Sequence, residues 1–133
     1  MLNITQITDD LTLLTDWEDK YSYIIDLGRD LPPMPEADKT ATTKVQGCTS
    51  QVWLTHEQIG EGHTFKTDSD ALIVKGLLAL LLALYNGKTS AEIAATNATQ
   101  TLKTLVLSEH ISPNRRNGFA AVEGKIKAYA AQN

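Results

Sequence analysis

The chain carries one cysteine, Cys48, set in Val45-Gln46-Gly47-Cys48-Thr49-Ser50-Gln51-Val52-Trp53. Its thiolate would be the strongest nucleophile available, and thiolate chemistry is governed by ionisation and access. Gly47 permits a sharp or left-handed turn, which puts the thiol at the tip of a loop between two extended segments. Free cysteines more often fill apolar volume. Here Gln46, Thr49, Ser50 and Gln51 are poor company for a residue with only that task. A single thiol also excludes an intrachain disulfide framework, a multi-cysteine zinc site and an iron–sulfur cluster held by this chain's own thiolates. Such absences point to a reducing compartment.

A cysteine hydrolase would need a histidine within hydrogen-bond reach of Cys48 and a third group to orient it. The candidates are His56, His63 and His110. His56 follows on the same extended run, and eight residues at ~3.3 Å each place it ~25 Å away. Nothing marks His63 or His110 as partners, and surface or capping roles are expected for both. The three do not form a recognisable metal site. Neither glycine-rich phosphate-binding pattern, Gly-x-Gly-x-x-Gly or Gly-x-x-x-x-Gly-Lys-Thr, occurs.

The 133 residues fit one domain, 1–133, with one core. Hydrophobic residues make up 42% and charged residues 21%, the balance of a soluble globular chain. Twelve Lys and Arg against sixteen Asp and Glu give a net charge of -4, which argues against nucleic acid as a partner because phosphate binding calls for a basic face. The N-terminal residues lack the basic start and apolar block of a secretory signal, so a cytoplasmic location is expected. The most apolar run, 71–85, contains Lys75 and falls short of the ~20 apolar residues of a membrane span.

That run is instead expected to form a central helix, capped by Asp68 or Ser69, closed by Gly87, with Lys75 snorkelling to solvent. Asp70 reads as a first-turn charge suited to the helix dipole. Ile4, Ile7, Leu11 and Leu14 predict a first amphipathic helix. Thr15-Asp16-Trp17-Glu18 has capping-box spacing ahead of a second, which carries Trp17, Tyr21, Ile24 and Ile25 inward and stops near Gly28. Short helical turns follow from Ser90 to Leu107, with Leu102, Leu105 and Val106 inward. Ser112-Pro113 opens a last helix whose stripe is Phe119, Val122, Ile126 and Tyr129. Leu31-Pro32-Pro33-Met34-Pro35 predicts an extended connector. Segments 44–46, 51–55 and 63–67 are strand candidates, with Gly60-Glu61-Gly62 turning between the last two. The architecture expected is α+β, a small antiparallel three-stranded sheet packed against several helices.

Three motifs in order resemble the SufE/CsdE family of sulfur-acceptor proteins. They are Gly47-Cys48-Thr49-Ser50-Gln51-Val52-Trp53-Leu54, then Asp68-Ser69-Asp70-Ala71 running into Ile73-Val74-Lys75-Gly76-Leu77, then Ile111-Ser112-Pro113-Asn114-Arg115 ending in Asn117-Gly118. Trp17-Glu18-Asp19 to Leu31-Pro32-Pro33 matches as well, so the resemblance runs from about Trp17 to the final helix. Thr43-Lys44 stands where many relatives carry Asn-Arg.

The resemblance implies a SufE/IscU-like fold and a partner: a pyridoxal-phosphate cysteine desulfurase, SufS-like or CsdA-like. In the family, the desulfurase holds sulfur from free cysteine as a persulfide, and the acceptor cysteine collects it for iron–sulfur cluster assembly. Cys48 stands in the acceptor position. Pyridoxal phosphate belongs to the desulfurase, and no cofactor or metal is expected on this chain. Gly47, Ser50, Gln51, Asp70 and Arg115 are expected to support the loop or to face the partner, Gln51 by hydrogen-bonding the loop backbone. A downstream cluster scaffold or other sulfur recipient is implied, with the chain a monomer or weak homodimer. The alternative is a noncatalytic module that regulates a desulfurase or another protein.

Overall fold

The computed structural model describes residues 3–132. Helices α1 (Ile4–Leu13) and α2 (Trp17–Arg29) lead through the proline-rich connector to an antiparallel hairpin, β1 (Val52–Ile59) and β2 (Gly62–Ser69). Then come α3 (Leu72–Tyr85), β3 (Lys88–Thr89), α4 (Ser90–Ala95), α5 (Ala98–Thr104) and α6 (Pro113–Ala130). The sheet order is β1-β2-β3, antiparallel throughout, with Val52 opposite Ser69 and Ile59 opposite Gly62. The expected α+β architecture is therefore present.

Alternation in the hairpin puts Val52 and Leu54 on the same face as Phe65 and Thr67, all buried. Helix α3 packs against that strand pair and against α2, and residues Leu77 to Leu82 are all buried. Burying each such Leu contributes ~1.5–3 kcal/mol relative to leaving it in water. The α2–α3 crossing depends on glycine. A methyl on Gly76 would lie 2.1 Å from the Ile24 carbonyl oxygen, and one on Gly28 would lie 2.6 Å from the Gly76 nitrogen. The two backbones touch there, so any side chain would force the helices apart.

Several boundaries differ from expectation for local reasons. Segment 44–46 contributes only a single bridge, Lys44 to Trp53, and the third strand is Lys88–Thr89. Gly47, at φ 89°, turns the chain away before a ladder can extend. Helix α2 begins at Trp17 with Asp16 at the cap position, one residue later than a box on Thr15 requires. Glu18 is thereby out of reciprocal register, and the capping box that forms is Thr89 with Glu92 at α4. Neither Asp68 nor Ser69 caps α3. Both are still paired in β2, and Ala71 holds the cap position without a side-chain bond. Lys75 does not run to solvent but turns onto Asp68, 3.4 Å from Oδ1. Val106 is half exposed at φ 58°, because α5 ends in a turn where Leu107 N–H donates to Leu102 O and Val106 N–H to Lys103 O. That turn requires a left-handed residue at 106 and gives the interior position to Leu107.

Candidate functional site

The Cys48 loop is fastened at its base by two backbone bonds, Val45 N–H to Val52 O at 2.8 Å and Leu54 N–H to Thr43 O at 2.9 Å. Thr40 and Thr43 brace the approach by exchanging side-chain-to-backbone bonds, and the Thr43 hydroxyl also donates to Asp38 O at 2.6 Å. Past Gly47 the chain folds over α6, and the Cys48 thiol donates weakly to the Gly118 carbonyl at 3.7 Å. On the far side, Gln51 N–H donates to Asp70 Oδ1 at 3.1 Å and Asp70 N–H to Gln51 O at 3.3 Å.

Cys48 is half-buried. Burial pushes its thiol pKa up, because a thiolate loses hydration there that nothing replaces. The resting seat thus favours the thiol over the thiolate. Beside it lies a cleft of about 30 Å³ walled by Thr49, Ser50, Val74, Asn114, Arg115 and Gly118. Ser112 caps α6 through the Arg115 N–H, leaving the exposed Arg115 guanidinium at the rim without an ion pair or hydrogen bond among the described residues.

Of the residues expected around the cysteine, Gly47, Ser50, Asp70 and Arg115 are brought to the loop or its cleft. Gln51 takes part through its backbone, not its side chain. Asp70 serves as the clamp of the loop and not as a helix cap. Sequence reasoning missed Gly118 and Val74 as parts of this site. A glycine inside a helix costs ~1 kcal/mol relative to alanine, which was a signal to look for a packing reason.

The adjacent carboxylate, Asp68, is buried and accepts Met34 N–H at 3.0 Å and Ser69 N–H at 2.8 Å, with Lys39 and Lys75 each at 3.4 Å. Burial alone would raise its pKa; the two N–H donors and the two ammonium groups together overcome that and hold it below the usual value. Asp68 thereby ties the proline connector and α3 to β2. Lys39 also lies over the Trp53 ring, 5.0 Å from its centre.

The histidines lie elsewhere. None lines the Cys48 cleft. His63 is fully buried, contrary to the surface role expected of it. Ser90 donates its hydroxyl proton to Ala130 O, so His63 Nε2–H must donate to Ser90 at 2.7 Å, and His63 Nδ1 accepts from His56 Nε2–H at 2.8 Å. Tyr129, expected in the buried stripe of the last helix, is half-buried and stacks on His56. His110 stacks on Trp17 at 4.8 Å. A cysteine–histidine hydrolase has no geometry here. No group of three or more metal-ligating side chains occurs among the described residues, and no helix among them is long and apolar enough to cross a membrane.

One cysteine on a glycine-primed loop, seated against the last helix of an α+β fold, defines a protein that presents a single thiol. Residues 5–130 match the SufE family model, described as an Fe–S metabolism associated domain. The chain is 43% identical over 134 residues to an uncharacterized SufE-like protein of Rhizobium meliloti strain 1021, covering 98% of this chain and 96% of that one. It is 42% identical to another of Rhizobium etli, covering 98% and 90%. In fold it is similar to the solution structure of a hypothetical protein from Thermus thermophilus, with a TM-score of 0.78 at 17% identity and full coverage of both chains. The chain belongs to the SufE family, which places it in Fe–S metabolism.

Proposed function

We propose that the protein accepts sulfur from a pyridoxal-phosphate cysteine desulfurase onto Cys48 and passes it on for iron–sulfur cluster assembly, stimulating the desulfurase by emptying it. The observation that carries this reading is the seating of the chain's one thiol on a loop against α6, beside a cleft of about 30 Å³. The Cys48 thiolate attacks the outer sulfur of the donor's persulfide. The donor's S–S bond breaks as the Cys48 Sγ–S bond forms, the donor leaves as a thiolate, and the thiol proton passes to solvent or to that thiolate. No oxidant is consumed and no second thiol on this chain is needed.

The attack requires ionisation, which the resting seat opposes. Docking on the desulfurase therefore has to lift the loop off α6, exposing the thiol where it is used and shielding it elsewhere. Ser50, Asp70 and Arg115 lie where they would meet the partner, with Arg115 supplying a cation to the anionic sulfur as it arrives. The setting of such chemistry is the cytoplasm.

The test is intact-mass measurement after incubation with a cysteine desulfurase and cysteine. The chain should gain about 32 Da per sulfur at Cys48, reversibly with reductant. Cys48→Ser should gain nothing while keeping fold and partner binding. An unchanged mass in the native chain with a desulfurase that binds it would favour a noncatalytic regulatory module.

A further inference from the structure

We propose that Gly118 is the positioning residue for the loaded state: its missing side chain is the space into which the outer sulfur of a Cys48 persulfide is folded. The inference rests on Cys48 being the sulfur carrier. Gly118 lies inside α6 with an ordinary helical backbone, where alanine would be favoured by ~1 kcal/mol. No left-handed conformation calls for glycine at this position, and the side its Cβ would occupy faces Cys48.

A methyl placed on Gly118 would lie 3.5 Å from Cys48 Sγ and 3.8 Å from its Cα and Cβ. Those are ordinary contacts, and the empty thiol tolerates them. A second sulfur does not. It is bonded about 2.05 Å from Sγ, and when directed toward α6 it falls well inside the van der Waals radius of such a methyl. The cleft's volume of about 30 Å³ leaves room for an added sulfur, since a single water needs ~10–15 Å³ on the same scale. A tripeptide-sized thiol is too large for it. Val74 supplies an apolar wall, and Arg115 places a cation at the rim for the perthiolate's charge.

Loading the thiol chemically separates this inference from the identity of the donor. Sodium polysulfide transfers one sulfur when Cys48 attacks its chain; a polysulfide shorter by that sulfur leaves, one S–S bond breaking as another forms. The native chain, Gly118→Ala and Gly124→Ala would be loaded this way, freed of excess reagent, and chased with a small phosphine reductant while intact mass follows the outer sulfur. Gly124 lies in the same helix, exposed, with nothing within 4 Å of its added methyl, and controls for helix propensity. Gly118→Ala should lose its outer sulfur about fivefold faster than the native chain or more, with Gly124→Ala matching the native chain.

Equal lifetimes in Gly118→Ala and the native chain overturn the proposal, as does equal acceleration in Gly124→Ala. Thermal melts accompany the chase. A Gly118→Ala protein that unfolds below the native chain also overturns it, because the methyl would then collide with the empty thiol. A native chain that polysulfide loads but desulfurase with cysteine does not would sink the acceptor reading, while the cleft comparison stays readable.

Discussion

Asp68 and Asp70 are two residues apart at the end of the same hairpin, yet they hold neighbouring segments in opposite ways. Asp68 is buried, accepts two backbone N–H groups and pairs with two lysines, so the connector at Met34 is locked to β2 and α3. Asp70 is exposed and grips the cysteine loop by one side-chain bond and one backbone bond to Gln51. An exposed bond contributes little because water replaces it readily, whereas a buried carboxylate with desolvated partners cannot be lost without leaving them unpaired. The difference teaches that buried partners hold the frame of the site, while the outer end of the thiol-bearing segment is held by exposed bonds that water can replace.

The comparison can be broken at its strong end first. Asp68→Asn should cost about 2 kcal/mol of unfolding free energy, read from urea melts, since it strands two ammonium groups against a neutral side chain. A loss near zero would mean that the connector is held by its prolines alone. The same carboxylate sets a pH dependence. Its folded-state pKa is lowered, so its contribution is fully present above the unfolded value of ~3.9 and is lost as pH falls through the folded-state value. Native and Asp68→Asn melts should therefore converge in that acid window and stay apart at pH 7.

At the weak end, Asp70→Ala should change stability by no more than about 1 kcal/mol. It should still speed alkylation of Cys48 by iodoacetamide several-fold, because the loop's outer clamp is gone. An unchanged alkylation rate would show that the seat on Gly118 holds the loop unaided.

The smallest effect concerns the thiol itself. Its folded-state pKa is raised, so the seat's preference for the protonated form is fully present below the unfolded value of ~8.5 and is lost as pH rises through the folded-state value. The rate–pH profile of Cys48 alkylation should have its midpoint above that of a model peptide thiol, and Asp70→Ala should move it back toward the peptide.

Much of this molecule was legible along the chain because its signals are local. The apolar run 71–85, the Ser112-Pro113 start and the Gly60-Glu61-Gly62 turn each follow from residues within a few positions of one another, and the structure has α3 at Leu72–Tyr85, α6 from Pro113 and the hairpin turn ahead of Gly62. Gly47 before Cys48 likewise announced a turn, and the family motifs singled out the thiol. What failed to show was pairing at a distance. The β-branched character of 44–46 suggests a strand there, but its pairing ends where Gly47 turns; nothing in Lys88-Thr89 itself marks a strand. Asp68 and Asp70 have the residue types of helix caps, but long-range partners at Met34 and Gln51 claimed their carboxylates.

The sequence by itself determined the single thiol, the bend beside it and the helices, since composition and short-range spacing specify these, and its ordered motifs carry the resemblance to the family. Only the tertiary structure decided that the thiol rests against Gly118, that burial pushes its pKa up, and that one carboxylate anchors while its neighbour merely latches. The reason is physical: desolvation and the availability of a hydrogen-bond partner depend on segments some seventy residues apart meeting in space, as Cys48 and Gly118 do.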